Sequence, residues 1–215
     1  MSNFALQNKK TMNKKAEKII QQVSQLYLKY GIKSVTMDDV ARELGVSKKT
    51  LYEHFDDKAD LVKKFILYSI ENIETKFNQA TSKKLNAIDT LIEISKMITS
   101  FLGEFNPSIC YDLQKYYPAI WKMIIDYKRD RVSANVYKNL LKGIKEGLYR
   151  NDINPEIIAK IYVSRIEASM DPDNKFSNEV HSTLLYNELM KYHIRGIAST
   201  EGIEYFEKIV IKNLV

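Results

Sequence analysis

The sequence predicts an all-α protein in which a small N-terminal module of three helices is joined by a long helix to a larger helical body. Apolar residues recur at spacings of three and four along most of the 215 residues, as on one face of a helix. Only seven glycines and four prolines interrupt this pattern. Several segments also begin with a serine, threonine, asparagine or aspartate, which are the residue types that cap helix N-termini.

The first helix is predicted to begin at Asn13 and to end at Gly31, since glycine is the usual residue just past a helix C-terminus. Its apolar face is formed, at steps of four, three and four, by Ile19, Val23, Leu26 and Tyr30. The preceding residues 1–13 lack this periodicity, and we expect a mobile tail there.

Two short helices follow, separated by a glycine turn. Thr36, with Asp39 three residues later, is close to a capping box and begins the second helix, which ends at Gly45. Ser47 is predicted to cap a third helix over 48–54. The inner side of this helix-turn-helix is predicted to be formed by Val40, Ala41, Leu44, Val46, Leu51 and Phe55.

A long fourth helix is predicted from Asp57 to about residue 80, with two apolar faces. Beyond it the pattern predicts helices over about 85–105, 107–117, 118–149, 155–170, 179–197 and 201–214, with a loop at 171–178. The predicted organisation is therefore a tail (1–13), an N-terminal module (14–60) and a helical body (61–215).

Charge is concentrated in the N-terminal module. Residues 1–64 hold 13 lysines and arginines against eight aspartates and glutamates, whereas the remaining 151 residues are nearly neutral. A basic surface confined to one end favours a polyanionic partner for that end.

Other functional classes find little support in the composition. The single cysteine, Cys110, excludes an intramolecular disulfide, and no apolar run is long enough to span a bilayer, so we expect a cytoplasmic protein without a membrane partner. The three histidines (His54, His181 and His193) are too scattered for a metal site. There is no phosphate-binding glycine loop and no serine nucleophile motif, so we expect no enzyme, no metal and no cofactor.

The third helix presents the side chains that suit DNA. Its outward residues are predicted to be Lys48, Lys49, Thr50, Glu53 and His54. Lysines can donate to guanine or phosphate, and threonine suits a thymine methyl group. Tyr52, His54 and Lys58 are placed to donate to backbone phosphates. An alternative is that the basic module docks on a protein partner and not on DNA.

Residues 14–61 resemble the DNA-binding domain of the TetR family of transcriptional regulators. The segment TMDDVARELGVSKKTLYEHFDDKADL follows the family pattern T-x-x-x-I-A-x-x-x-G-V-S-x-x-x-L-Y-x-H/Y-F-x-x-K-x-x-L almost position for position. The resemblance implies a homodimer, a helical C-terminal domain that binds a small ligand, and repression of transcription at a near-palindromic operator. It places Thr36, Tyr52, His54 and Lys58 at phosphates, Lys48, Lys49 and Thr50 at bases, and Ser47 within the same DNA-binding set.

One residue departs from the family pattern. Many members have glycine or proline where this chain has Lys49. A long cation there should change which base steps are read, so the operator cannot be inferred from relatives.

The same resemblance implies roles for the body. The last two long helices would form the dimer interface, through Ile158, Ile161, Tyr162, Arg165, Leu185, Leu189 and Tyr192. The segment 97–127 is rich in aromatic residues and methionines, which can line a pocket for an apolar or aromatic effector. The candidate pocket residues are Met97, Phe101, Tyr111, Trp121, Met123 and Tyr127. Aromatic residues at helical spacing are also common in ordinary cores, and the sequence leaves that alternative open.

Overall fold

The computed structural model describes residues 13–81, 84–104, 106, 108–169 and 183–212. This part of the chain contains ten helices: α1 (Lys14–Tyr30), α2 (Met37–Glu43), α3 (Lys48–Tyr52), α4 (Lys58–Thr81), α5 (Ala87–Glu104), α6 (Ser108–Tyr116), α7 (Pro118–Lys145), α8 (Pro155–Ser169), α9 (Thr183–Ile197) and α10 (Thr200–Lys212). The predicted all-α fold is confirmed. No helix among the described residues is long and apolar enough to cross a membrane.

The helices group into two compact units that are each discontinuous in sequence. The first combines residues 1–76 with 104–123, and the second combines 77–103 with 124–215. The first unit therefore contains α6 and the start of α7 together with the three N-terminal helices. The single boundary at residue 60 that the sequence suggests stays a prediction.

The first unit has a small core at the meeting point of α1, α3 and α4. Tyr27 of α1 is buried and meets Phe65 of α4 edge to face, with 5.2 Å between the ring centroids. Other side chains with little or no exposure in this core are Ile20, Val23, Ile32, Leu51, Phe55, Leu61 and Val62. Burying a side chain of this size stabilises the fold by about 1.5–3 kcal/mol, so these residues contribute a large share of the stability of the first unit.

The predicted ends of α1 and α2 are confirmed. The side chain of Asn13 accepts hydrogen bonds from the backbone N–H groups of Lys15 and Ala16, and the N–H of Gly31 donates to Tyr27 at the other end of α1. Thr36 and Asp39 form a reciprocal capping box at α2. Gly31 adopts a φ of 80°, a conformation that glycine takes without steric cost.

The second unit is built around a core shared by α5, α7, α8, α9 and α10. Ala87, Ile88, Leu140 and Ile194 are buried there, together with Leu91, Val136, Tyr149, Ala159, Met190, Ile197, Ala198 and Phe206. The hydroxyl of Tyr149 donates to Asn139 of α7 at 2.9 Å, so the ring of this tyrosine lies in the core while its oxygen keeps a polar partner.

Two boundaries differ from the sequence-based prediction. α3 ends at Tyr52, not at residue 54, and α7 ends at Lys145, not near residue 149. α7 is followed by Gly147 with a φ of 73°, which reverses the chain before Tyr149 makes an isolated backbone bridge with Ala198. The predicted loop 171–178 lies outside the described residues.

Candidate nucleic-acid interface

α2 and α3 meet through small and buried residues. Ala41 of α2 is 7% exposed, and Gly45 turns the chain with a φ of 62°. The N–H of Val46 donates to the carbonyl of Ala41 at 3.0 Å, which closes the turn. Leu51 and Phe55 anchor α3 in the core. The remaining residues of α3 are therefore presented away from the core, as a helix that enters a DNA groove requires.

The hydroxyl of Thr36 is already engaged within the capping box. Its Oγ1 accepts from the N–H of Asp39 at 3.1 Å and donates to Oδ2 of the same residue at 2.6 Å. The hydrogen bonds from Thr36 lower the pKa of the Asp39 carboxyl, because they favour its ionised form. A phosphate contact by the Thr36 hydroxyl would have to compete with this carboxylate.

Ser47 begins α3 as predicted. Its Oγ accepts from the N–H of Thr50 at 3.0 Å, and the two hydroxyl groups lie 3.0 Å apart. Ser47 and Thr50 therefore stabilise the start of the recognition helix by satisfying a backbone donor that would otherwise lack a partner.

Lys48 and Lys49 differ in their surroundings. Lys48 Nζ lies 2.5 Å from Asp38 Oδ1 of α2, an ion pair in which both side chains are more than half exposed. Such a pair contributes about 1 kcal/mol at most, so DNA can displace Asp38 from Lys48 at little cost. Lys49 is exposed, and its carbonyl accepts from the N–H of Glu53 at 3.0 Å within the helix.

Tyr52 and His54 also differ. The ring of Tyr52 is 51% exposed, so its hydroxyl can reach a phosphate. His54 is half-buried, and its Nε2 is buried without a hydrogen-bond partner among the described residues. The backbone carbonyl of His54 accepts from Lys64 Nζ at 3.0 Å. Tyr52 is consequently the better placed of the two residues for a phosphate contact.

Lys58, at the start of α4, points toward the loop between α1 and α2. Its Nζ donates to the carbonyl of Lys33 at 3.3 Å. Burial lowers the pKa of Lys58, and the neighbouring charge of Lys33 adds to this effect. Because burial removes part of the hydration of the Lys58 ammonium group, a nearby anion stabilises its charged form. A DNA phosphate would be such an anion.

The same loop is tied to α6, a contact that sequence reasoning missed. The N–H of Lys33 donates to Asp112 Oδ2 at 2.7 Å, and Asn106 Nδ2 donates to the carbonyl of Lys29 at 3.4 Å. Lys33 Nζ lies 4.4 Å from the centre of the Tyr116 ring. Asp112 is only 6% exposed. One signal in the sequence could have predicted this contact, namely an aspartate at an inward position of α6. A buried carboxylate needs donors from elsewhere in the fold.

The six predicted pocket residues are divided between the two units. Tyr111, Trp121 and Met123 belong to the first unit, and Met97, Phe101 and Tyr127 to the second. Tyr111 is 53% exposed and its hydroxyl accepts from Lys115 at 2.7 Å. Met97, Trp121, Met123 and Tyr127 are half-buried, while the side chain of Phe101 lies outside the described residues.

The predicted dimer residues separate into an inner and an outer set. Ile158 and Tyr162 pack against the core of the second unit, and Arg165 Nη1 donates to the carbonyl of Leu189 at 3.2 Å. Ile161 and Tyr192 are 59% and 78% exposed, and Leu185 and Leu189 are half-buried. Two further exposed apolar residues that the sequence analysis missed are Ile157 and Leu184.

These features define an all-helical protein with a basic helix-turn-helix, capped and anchored as a DNA-reading module. A comparison with protein families agrees: residues 19–65 match the model of the bacterial regulatory proteins of the tetR family. The helix-turn-helix of this chain therefore matches the DNA-binding domain of the TetR family of transcriptional regulators, and the match ends within α4. The family is one of DNA-binding regulators and not of enzymes.

Similarity to known proteins extends beyond the helix-turn-helix. An uncharacterised HTH-type transcriptional regulator, YvaF of Bacillus subtilis, is 22% identical over 171 residues, which cover 78% of this chain and 88% of that protein. The nucleoid occlusion factor SlmA of a Marinomonas species is 29% identical over 105 residues, which cover 49% of this chain and 52% of SlmA. The chain thus matches about half of SlmA and most of YvaF.

Solved structures share the fold. A transcriptional regulator from Cytophaga hutchinsonii superposes with a TM-score of 0.69 at 16% identity, covering 87% of this chain and 100% of that one. A TetR-family regulator from Agrobacterium tumefaciens gives a TM-score of 0.67 at 16% identity, over 86% and 98% of the two chains. A regulator from Saccharomonospora viridis in complex with choline gives 0.62 at 16% identity, over 87% and 100%.

Proposed function

We propose that the protein is a ligand-responsive repressor that binds a near-palindromic operator as a homodimer. The observation that carries this proposal is the coexistence of an outward-facing basic recognition helix with an uncovered apolar face on α8 and α9. The basic recognition helix requires DNA as its partner, and the apolar face requires another protein surface to cover it. A second copy of the chain supplies that surface with two-fold symmetry.

The proposed dimer face consists of the exposed apolar residues of α8 and α9. Ile157 and Ile161 are one helical turn apart on α8, and Leu184 and Tyr192 extend the apolar surface on α9. Each is more than half exposed in the monomer, and large apolar side chains exposed on neighbouring positions of a helix favour a partner surface. Association of two copies would remove this apolar surface from water and assemble a bundle of four helices.

The proposed DNA contacts are divided between bases and backbone. Lys48, Lys49 and Thr50 face the bases of the major groove, because they occupy the exposed first turn of α3. The backbone phosphates are contacted by Thr36, Tyr52, His54 and Lys58, and Ser47 caps the helix within the same DNA-binding set. Two-fold symmetry then places the two recognition helices about one DNA turn (~34 Å) apart.

The proposed response to ligand is a shift between two dimer states. An effector in the helical body favours a state in which the recognition helices are wrongly separated for consecutive grooves. Within the first unit, α6 contacts the loop before α2 through the hydrogen bond from the Lys33 N–H to Asp112. A displacement of α6 would therefore act on the DNA-binding helices. To change operator occupancy from nearly full to nearly empty, the ligand must bind the released state ~10⁴-fold more tightly.

The test is the selection of bound fragments from genomic DNA with protein refolded free of ligand, at two salt concentrations. We expect a palindrome with half-sites about one turn apart, whose binding weakens steeply as salt rises, since several phosphates release counterions on binding. A parallel selection uses the Lys48→Ala, Lys49→Ala double variant, with Lys63→Ala, Lys76→Ala on the exposed side of α4 as a control of equal charge.

The outcomes separate the proposal from its rival. Loss of enrichment in the recognition-helix variant alone supports operator reading by α3. Equal enrichment of all sequences, or none by the ligand-free protein, would contradict it. Salt-insensitive capture of another protein by the basic module would favour docking on a protein partner.

A further inference from the structure

The second unit contains a half-buried polar cluster among α5, α8 and α9. We define it as Tyr162 and Arg165 of α8, Tyr186 and His193 of α9, and Ser95 of α5. The guanidinium carbon of Arg165 lies 4.7 Å from the centre of the Tyr162 ring, and that ring meets His193 edge to face at 4.7 Å. Polar groups are expensive inside a protein unless each has a partner, so such a cluster requires an explanation.

Two donors of this cluster have no partner. Arg165 Nε and the Tyr186 hydroxyl are both buried, and neither makes a hydrogen bond to any described residue. The Ser95 hydroxyl lies close enough to Tyr186 to lower its pKa as a donor, and a donor at the Tyr186 oxygen still leaves the Tyr186 O–H without an acceptor. Two other polar atoms of the cluster have partners: Arg165 Nη1 donates to the carbonyl of Leu189, and the Tyr162 hydroxyl contacts Met190 Sδ at 3.6 Å. An arginine N–H can only donate, so the missing group is an acceptor.

The charge of the cluster is also uncompensated. Arg165 has no carboxylate within ion-pair distance in the described part of the chain. The acidic residues on the same two helices have other partners, since Glu167 pairs with Arg129 at 2.8 Å and Glu188 with Lys191 at 2.7 Å. Burial, aided by the positive charge of Arg165, lowers the pKa of His193 to about 4. The histidine is thus neutral at pH 7, and the cluster carries one positive charge.

We propose that this cluster binds the carboxylate of a small organic acid, with Arg165 and Tyr186 as donors and an apolar tail among the aromatic rings. The proposal rests on the ligand-responsive function above and deepens it by giving the effector a chemical class. A carboxylate supplies the acceptor that both donors lack and the negative charge that Arg165 lacks. The ring of Tyr162 offers an apolar and aromatic surface beside that charge.

The experiment compares acids with their neutral amides on the full-length protein. The probes are benzoate with benzamide and hexanoate with hexanamide, and binding is measured by calorimetry and by the ring-proton resonances of His193. We expect at least one acid to bind about tenfold more tightly than its amide and to shift the His193 resonances, because a charge-assisted hydrogen bond depends on the carboxylate.

Variants locate the site. Arg165→Gln should reduce the affinity for the acid to that for the amide, and Tyr186→Phe should weaken it several-fold while the ring keeps its packing. The control is Arg195→Gln on α9, whose guanidinium is 56% exposed and lies 3.8 Å from Glu207. This control should bind the acid as the unmodified protein does. If Arg165→Gln fails to fold, Tyr186→Phe still tests whether the acid binds at the cluster.

The proposal is overturned if neither acid binds, if acid and amide bind alike, or if both cluster variants keep full affinity. It is also overturned if no acid binds and Arg165→Gln weakens self-association, since the anion is then a side chain of a second copy. Operator binding is measured in parallel. Acid binding that depends on Arg165 but leaves operator affinity unchanged supports the site and removes the proposed response. If other compounds change the operator affinity and no acid binds, the proposed site is overturned and the proposed response to ligand is supported.

Discussion

Lys33 and Asp112 are 79 residues apart in the chain and are joined by a hydrogen bond of 2.7 Å from the Lys33 N–H to the Asp112 carboxylate. The bond ties α6 to the loop that leads into the helix-turn-helix. Because Asp112 is buried, the carboxylate depends on such donors for its stability in the fold.

Replacing Asp112 should destabilise the first unit. In Asp112→Ala the Lys33 N–H loses its acceptor, and we expect unfolding to become easier by about 1–3 kcal/mol, the usual cost of a buried unpaired donor. Urea denaturation followed by circular dichroism measures this. Asp112→Asn keeps an acceptor oxygen and should lose clearly less, so equal losses in both variants would refute the role of this hydrogen bond.

Two helical glycines should respond in opposite directions to alanine. A Cβ at Gly202 of α10 would collide with the backbone carbonyl of Leu148, whereas a Cβ at Gly196 of α9 would meet nothing within 4 Å. We expect Gly202→Ala to destabilise the protein by about 1–3 kcal/mol through overpacking. Gly196→Ala should stabilise it by about 0.5–1 kcal/mol, because alanine favours the helix. Thermal unfolding of both variants tests the pair, and a stabilised Gly202→Ala would contradict the close approach.

Changes in α3 should separate specificity from affinity. Lys49→Ala should reduce discrimination at one or two base pairs by about 1–3 kcal/mol if Lys49 contacts base edges. Tyr52→Phe should weaken binding to all sequences alike, by about 0.5–1.5 kcal/mol, since one hydrogen bond to a phosphate is lost. Competition binding with the selected operator and single-base variants measures both effects. Uniform losses from both changes would show that Lys49 reads no base.

Charging the proposed dimer face should produce monomers. Ile161→Glu or Tyr192→Glu places a carboxylate in an interface that would otherwise be apolar, and the desolvation cost opposes association. Light scattering with size-exclusion chromatography should then give the 25.0 kDa chain mass, where the unmodified protein gives twice that value. Leu141→Glu on α7 is the matched control, since Leu141 is also exposed (45%) but lies outside the face. A monomeric unmodified protein would remove this part of the proposal.

Stability should fall with acidity in a window set by His193. Its pKa is lowered from 6.5 to about 4 in the folded protein, mainly by burial and further by Arg165. Below pH 6.5 the unfolded chain takes up a proton that the folded chain does not, so stability decreases until about pH 4 and is unaffected by this group below that. The decrease should reach about 3 kcal/mol.

Urea denaturation of the unmodified protein and of His193→Gln between pH 4 and pH 7 measures this contribution. The variant should lack the part of the pH dependence that His193 causes. His54→Gln serves as the control for the loss of a histidine elsewhere. Identical pH profiles for the unmodified protein and His193→Gln would show that His193 is not held neutral by the fold.

Local signals account for what sequence analysis predicted well. Asn13, Thr36 with Asp39, and Ser47 act on backbone groups within three residues of themselves, so their roles as helix caps could be inferred without a fold. The turn at Gly45 is equally local. The family pattern in the helix-turn-helix depends on the same short spacings, which explains why the family could be identified from a quarter of the chain.

Long-range contacts account for what it missed. The predicted dimer set mixed Tyr162, which packs against its own core, with Ile161 on the neighbouring exposed face, because one helical step separates the two positions. Nothing in the sequence of the aromatic segment 97–127 indicated that it is divided between two units. Its role in a pocket stays a prediction.

The helices, their caps, the helix-turn-helix and the basic character of that module could all be predicted from the amino-acid sequence, because they depend on neighbours within a turn or two. The contact of Asp112 with Lys33, and the buried donors without partners on Arg165 and Tyr186, became visible in the folded protein. A side chain's burial and hydrogen bonding depend on groups brought near by packing, and helical periodicity does not specify which helices those groups come from.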